Sequence, residues 1–110
     1  MTAGIAWLMI LAAGAMEIVW AYSAKQSEGW TNWRWGAVTI ASSLVSFVLL
    51  TFAMKSLPLG TAYAVWTGIG AVGSFILGIW LLGESANVYR VGSALLVVVG
   101  IVGMRLSSGR

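Results

Sequence analysis

The first apolar segment of the chain contains the stretch Gly14-Ala15-Met16-Glu17-Ile18-Val19-Trp20, in which Glu17 is the single charged residue. No charged side chain precedes Glu17, and none follows it until Lys25. An ionisable side chain near the centre of a bilayer costs about 3 kcal/mol on insertion scales. The carboxyl group of Glu17 is therefore expected to be neutral, to be paired with a charge or to form part of a ligand site. Residues elsewhere in the chain have to provide its surroundings.

The composition is typical of a membrane protein. Of the 110 residues, 60% are hydrophobic and 8% are charged, whereas a soluble domain carries about 25% charged residues. The net charge of +3 arises because only three residues are acidic, so nucleic-acid binding is not expected. Because the chain has no Cys and no His, we expect no metal site, and we expect no cofactor. We also expect no cleavable signal peptide, since no Lys or Arg precedes the first apolar run.

Four apolar stretches are long enough to cross a hydrocarbon core of about 30 Å, which takes about 20 helical residues. The predicted spans cover approximately residues 4–24, 35–54, 59–82 and 89–104. The links are too short for a further domain, and the sequence lacks the alternation of period two that a β-barrel shows. The sequence therefore predicts an all-α membrane protein, with residues 1–110 forming a single four-helix transmembrane domain.

The charges of the links do not favour one orientation in the membrane. An even number of spans places Lys55, Arg105 and Arg110 on one side and Lys25, Arg34 and Arg90 on the other. Because the two sides carry equal numbers of Lys and Arg, the positive-inside rule predicts no preferred orientation. Either small differences in distance from the membrane decide one orientation, or the chain inserts both ways and pairs with an inverted copy of itself. We favour the second, because an ordinary four-span protein shows a visible bias.

A second copy is also favoured on physical grounds, because four helices are too few to enclose a polar pathway and shield it from lipid. Small residues let membrane helices approach closely, so the small residues of the fourth span predict the contact between the two copies, or dimer seam. These residues are Ser93, Gly100 and Gly103. The alternative interpretation is an ordinary flexible or closely packed helix, because the sequence contains no strict GxxxG pair.

The first two spans carry residues that could surround Glu17. Gly14 and Trp20 share its helix face at a spacing of three residues, so Gly14 leaves room and Trp20 supplies a ring. On the second span, Ser42 and Ser46 lie one turn apart at mid-depth and can line one face. The alternative for each hydroxyl is a hydrogen bond to a carbonyl of its own helix.

The third span has the most candidate residues. Tyr63, Trp66 and Thr67 lie close together and offer hydroxyl groups, an indole N–H and an aromatic face that attracts cations. A glycine run follows, with Gly68, Gly70 and Gly73. Because glycine lowers helix propensity, this run indicates close packing or a bend in the helix. Packing alone would explain aromatic residues at this spacing, but the lone intramembrane acid favours a site.

Together these residues predict a cation site. Burial disfavours the charged form of a carboxyl group, so near neutral pH Glu17 can hold either a proton or a cation. Each displaces the other, and this competition at one group can couple their movements. An enzyme is not expected, because intramembrane proteolysis needs a Ser–His pair, two acids or a metal motif, and the spans contain neither His nor a second acid.

Over essentially its whole length, the chain resembles the small multidrug resistance family of transporters. The lone Glu of the first span and the balanced links match that family, and the most specific segment is Lys55-Ser56-Leu57-Pro58-Leu59-Gly60-Thr61-Ala62-Tyr63-Ala64-Val65-Trp66-Thr67-Gly68-Ile69-Gly70-Ala71-Val72-Gly73. Within the family the chain is similar to the guanidinium exporter subtype. Trp20 stands where the drug-exporting subtype usually has Gly, and Thr61 stands in the Gly-Thr-Ala-Tyr-Ala run.

The resemblance implies an antiparallel, dual-topology homodimer in the bacterial inner membrane. It implies exchange of protons for guanidinium, or for small guanidinyl or substituted cations, by alternating access. Glu17 would bind substrate and protons, and the surround that positions the carboxylates would consist of Trp20, Ser46, Tyr63 and Trp66. The glycine run 68–73 would be the bend of the third helix, and the fourth helix would form the dimer seam.

Two other functions stay open from the sequence. A quaternary ammonium exporter would need a wider aromatic pocket without a hydrogen-bond network. Guanidinium is planar and its fork of donors matches a carboxylate, so Ser46 and Trp20 favour guanidinium. The second alternative is a non-transporting membrane subunit or one half of a heterodimeric pair; paired family members usually have opposite charge biases, and this chain has none.

Overall fold

In a computed structural model, which describes residues 2–107, the described part of the chain forms four α-helices joined by short links. The helices are α1 (Ala3–Gln26), α2 (Trp33–Ala53), α3 (Leu59–Leu82) and α4 (Val88–Ser107). Each is long and apolar enough to cross a membrane. The predicted all-α class with membrane-length helices is confirmed for these residues; Arg110, counted among the link charges, lies outside them.

Local chemistry explains where the helices begin and end. Thr2, Asn32 and Asn87 each precede a helix, and each accepts a hydrogen bond from a backbone N–H two or three residues further on. Such caps satisfy N–H groups that a helix start leaves without partners. Pro58 precedes α3, and Gly83 ends it with a left-handed φ of +69°, which glycine adopts without a steric cost.

The helices form a thin layer rather than a closed bundle. α1 lies between α2 and α3, and the backbone of α4 approaches α3 alone among the helices described. The principal extents are 44 × 34 × 16 Å, and one helix with its side chains is already about 10 Å thick. Small and medium apolar side chains build the core, namely Ala6, Ile10 and Ala13 of α1, Leu50 and Ala53 of α2, and Ala62 and Val65 of α3.

Buried hydroxyl groups join α1 to α2 at two depths. The hydroxyl oxygens of Ser23 and Thr39 lie 3.0 Å apart. Further along the pair, Ser46 Oγ donates to the carbonyl oxygen of Ala13 at 2.6 Å. Lipid tails are as apolar as the side chains facing them, so packing and interhelical hydrogen bonds hold membrane helices together. These contacts fix the position of α2 beside the Glu17-bearing half of α1.

Side chains near its two ends hold α4 to the other helices. The guanidinium of Arg90 lies 4.8 Å from the centroid of the Phe75 ring and 3.7 Å from the carboxylate of Glu84. The guanidinium of Arg105 lies 4.9 Å from the centroid of the Trp7 ring. Between residues 88 and 107, α4 has no fully buried residue. Its outer face is therefore open to lipid or to another chain.

Gly68 allows α4 to approach α3 closely. A Cβ added at Gly68 would lie 2.7 Å from Cδ1 and 2.9 Å from Cγ1 of Ile101, inside van der Waals contact. On α4, a Cβ added at Gly92, Gly100 or Gly103 would have no neighbour within 4 Å in the described part of the chain. The glycines of the predicted dimer seam thus lie on a surface that the single chain leaves uncovered.

We predict that Gly68→Ala destabilises the protein by about 1–3 kcal/mol, because overpacking a close contact costs about that much. Adding Ile101→Ala should recover part of the loss, since it removes the two overlapping atoms. Gly92→Ala is the matched control, because its Cβ meets open space. Denaturation midpoints in detergent micelles measure these variants. A Gly68→Ala protein as stable as Gly92→Ala would contradict the packing described.

Candidate functional site

Glu17 lies in the middle of α1 and directs its carboxyl group towards α3. The group packs against the backbone of Gly70, because a Cβ added there would overlap the carboxyl atoms. Glu17 Oε1 is buried and has no hydrogen-bond partner among residues 2–107. Buried polar atoms are normally paired, so each exception needs a reason. In a membrane helix, an ionisable group of this kind is a candidate site for a proton or a cation.

Ser46 and Trp66 form a hydrogen-bonded bridge next to the glutamate. Trp66 Nε1 donates to Ser46 Oγ at 2.9 Å, and Ser46 Oγ donates to the carbonyl oxygen of Ala13 at 2.6 Å. Ala13 precedes Glu17 by four residues, which is about 6 Å along the helix axis. The bridge therefore joins α1, α2 and α3 about one helical turn from the carboxyl group of Glu17, and it fixes the indole of Trp66.

The two tryptophans predicted to surround the site line one cavity. Trp20 of α1 and Trp66 of α3 line a space of about 370 Å³ whose remaining wall comes from α2, namely Ser43, Leu44 and Phe47. Aromatic faces attract cations, most strongly where water is excluded. The structure therefore places an aromatic cavity about one helical turn along α1 from Glu17.

Tyr63 extends this aromatic group outward. Its ring centroid lies 5.6 Å from that of Trp66, with the two planes tilted by 48°. In the single chain 53% of the Tyr63 surface is exposed. The tyrosine thus belongs to the same aromatic cluster, but it is presented at the outer surface of the helix layer.

Three predicted lining residues make other contacts in the structure. Ser42 Oγ donates to the Val38 carbonyl at 2.6 Å, and Thr67 Oγ1 donates to the Tyr63 carbonyl at 2.9 Å. Each bond joins a hydroxyl group to a carbonyl of its own helix, a common arrangement for Ser and Thr in membrane helices. Gly14 gives space to Ile69 rather than to the carboxyl group, since a Cβ there would lie 2.6 Å from Ile69 Cγ2.

The glycine run of α3 receives side chains from both neighbouring helices. Gly68 admits a side chain of α4, Gly70 admits the carboxyl group of Glu17, and Gly73 admits the side chain of Ile18. α3 continues as an α-helix through the whole run. Close packing therefore accounts for these glycines in this structure, and the bend stays a prediction.

Sequence patterns do not indicate two features of the site. The glycine run is visible in the sequence, but its contact with the carboxyl group depends on how α1 and α3 are rotated against each other. The sequence also does not indicate that Phe47 lines the cavity, because apolar residues occur on every side of α2. Only the packed structure shows that Gly70 faces Glu17 and that Phe47 faces the tryptophans.

An intramembrane acid near an aromatic cavity defines the class as a small membrane protein with a candidate site for a proton or a cation. A family model described as Small Multidrug Resistance protein matches residues 5–99. The chain belongs to the small multidrug resistance family, so the family resemblance seen in the sequence is confirmed. With its membrane-length helices, it is a multi-pass protein of the bacterial inner membrane.

Relatives match the chain over nearly its whole length. The guanidinium exporter of Escherichia coli strain K12 is 51% identical over 104 residues, which cover 94% of this chain and 99% of the relative. The guanidinium exporter of Proteus vulgaris is 49% identical over 104 residues, covering 94% and 100%. That of Salmonella typhimurium is 51% identical over 104 residues, covering 94% and 99%.

We predict that Ser46→Ala destabilises the protein by about 1 kcal/mol, within the range measured for hydrogen bonds between membrane helices. The variant removes the acceptor of Trp66 Nε1 and the donor to Ala13. Ser43→Ala is the control, because Ser43 lines the cavity at Trp20 and Trp66 and donates to the Ile40 carbonyl of its own helix. Detergent denaturation should separate the two variants, and equal stability would contradict a structural bridge.

Proposed function

We propose that the chain is a proton-coupled exporter of guanidinium, and of small guanidinyl or substituted cations, that works by alternating access. The observation that carries this proposal is the Oε1 atom of Glu17, which is buried and lacks a hydrogen-bond partner within residues 2–107. Relatives of 49% and 51% identity that are named guanidinium exporters support the choice of substrate. The whole chain acts as one four-helix domain.

Guanidinium suits this site because it brings its own hydrogen-bond donors. A planar cation with a fork of N–H groups pairs with both oxygens of a carboxylate. Trp20 and Trp66 offer aromatic faces on which such a planar cation stacks. The bond from Trp66 to Ser46 holds the indole in a fixed orientation. Tyr63 completes the aromatic surround from the outer side of the layer.

Proton exchange follows from the use of one acid for both ions. Glu17 is the only acidic residue of the four spans, so a proton and guanidinium compete for the same carboxylate. A carrier that opens Glu17 to one side at a time then moves one ion in exchange for the other. The glycine run from Gly68 to Gly73 is the proposed bend for this movement. In a pair of copies, the two Glu17 groups titrate as a coupled pair.

An inverted second copy completes the site in this proposal. The layer is only 16 Å thick in its smallest extent, and Tyr63 is exposed on the single chain. The outer face of α4 is uncovered, including the residues of the proposed seam, Ser93, Gly100 and Gly103. The balance of Lys and Arg between the two sides supports insertion in both orientations. The proposed assembly is an antiparallel, dual-topology homodimer.

A quaternary ammonium exporter is the second candidate. The observation in its favour is the size of the cavity at Trp20 and Trp66, about 370 Å³, which exceeds the needs of a small planar cation. The same glutamate would serve it by charge alone. The two candidates differ in whether directional hydrogen bonds to the carboxylate contribute to binding.

We expect proteoliposomes that contain the chain to take up radioactive guanidinium when their interior is more acidic than the outside. Glu17→Gln should abolish this uptake, because an amide neither binds a proton nor carries the charge that pairs with guanidinium. Glu28→Gln is the control, since Glu28 lies in the link after α1, outside the spans. Tetraethylammonium at equal concentration should not compete. Uptake of tetraethylammonium without guanidinium uptake would favour the second candidate and overturn the first.

We expect both orientations of the chain in the membrane. The natural chain has no Cys, so Ser107→Cys gives a single site for a membrane-impermeant maleimide. About half of the molecules should be labelled from one side, because Lys and Arg are equally divided between the two sides and the positive-inside rule then favours neither orientation. Adding Ser85→Lys, in the link on the opposite side, should shift the labelled fraction strongly. Labelling from one side only in Ser107→Cys would contradict dual topology.

A further inference from the structure

Gly70 has a part in the site that is separate from any bend of α3. We propose that Gly70 is a positioning residue that gives the Glu17 carboxyl group a withdrawn position in which it carries its proton. To bind a guanidinium-type cation, the group has to swing away from Gly70. This inference rests on the proposed role of Glu17 as the shared site for protons and cations.

The withdrawn position is defined by a direct contact between α1 and α3. Gly70 is buried, and a Cβ added to it would overlap Cγ, Cδ and Oε1 of Glu17. Gly78 receives the carboxyl group of Glu84 in a similar way. Glu84, however, is exposed and lies 3.7 Å from the guanidinium of Arg90. Among the residues described, Glu17 Oε1 has no such partner.

No charged side chain of the neighbouring helices is placed to compensate an ionised carboxylate at Gly70. Tyr63 is the single titratable residue of α3, seven residues or about 10 Å before Gly70. The titratable residues of the other helices lie nearer the helix ends, namely Tyr22 and Lys25 of α1, Arg34 of α2, and Tyr89, Arg90 and Arg105 of α4. A neutral carboxyl group costs less than a carboxylate in such surroundings. The withdrawn position therefore suits the protonated form.

Cation binding needs a different position of the same group. A guanidinium that pairs bidentately uses both carboxylate oxygens, whereas Oε1 is buried against Gly70. The cavity lined by Trp20 and Trp66 is the proposed space for a planar cation, because Trp20 follows Glu17 by three residues on the same helix face. Release of the proton thus accompanies movement of the carboxyl group from Gly70 towards this cavity. A side chain at position 70 would prevent the return movement.

Isothermal titration of guanidinium into the purified full-length protein between pH 5 and pH 9 tests this inference. Wild-type binding should weaken as the pH falls, because protons compete. In Gly70→Ala the protonated group loses its withdrawn position, so the proton is held less tightly. The midpoint of this pH dependence should fall by about one unit, which is a tenfold loss of proton affinity. Affinity at pH 9, where protons no longer compete, should stay close to the wild-type value.

Gly78→Ala is the matched control, because it removes a glycine of the same helix that receives the carboxyl group of Glu84 instead of that of Glu17. Its pH midpoint should equal that of the wild type. In a Glu17→Asp background, Gly70→Ala should shift the midpoint less, because the shorter acid reaches less far towards position 70. If Gly70→Ala fails to fold, recovery of a monodisperse protein on adding Glu17→Asp supports the contact, and no recovery overturns it.

The outcomes distinguish this inference from the proposed function. An unchanged midpoint in Gly70→Ala, or an equal shift in Gly78→Ala, overturns the role of Gly70 but does not contradict the proposed shared site. Wild-type guanidinium binding that does not vary with pH overturns the shared site and this inference together.

Discussion

A carboxyl group in the middle of a membrane-length helix has no water to solvate it, and this constraint organises the structure around Glu17. The carboxyl group lies against the backbone of Gly70, and Oε1 has no hydrogen-bond donor within residues 2–107. α2 is fixed beside α1 by the bond from Ser46 to the Ala13 carbonyl. α3 is fixed by Trp66, which donates to that same serine. The helices around the acid are therefore held in place by groups other than the acid itself.

This division of hydrogen bonds explains why aromatic side chains suit the surround proposed for the acid. Ser42 and Thr67 donate to carbonyls of their own helices, whereas Ser46 donates to the Ala13 carbonyl and accepts from Trp66. Such an acid is poorly stabilised as a free anion, but it pairs strongly with a cation that supplies N–H donors. Aromatic faces then interact with the plane of the cation without competing for the carboxylate oxygens.

The sequence predicts the helices well because hydropathy and length decide them. Their ends follow other rules: α4 runs to Ser107, beyond the predicted end at residue 104, because a helix can continue past the apolar core of the membrane. Glu17 is predictable as the lone acid of the spans. Its contact is not, because apolar residues surround each helix and leave the rotation of α1 against α3 undetermined. Gly14 shows this, since its expected space for the carboxyl group is occupied by Ile69.

The thin shape of the single chain has different consequences for its apolar and polar parts. Exposed apolar side chains on α4 carry little penalty in lipid, so their exposure alone does not require a partner. A cation paired with Glu17 is different, because the layer is only 16 Å thick and the aromatic cluster reaches its outer surface at Tyr63. In the proposed dimer, the inverted copy covers this surface and shields the ion pair from acyl chains. By linkage, any cation that binds more tightly in the shielded site also strengthens the pairing of the two copies.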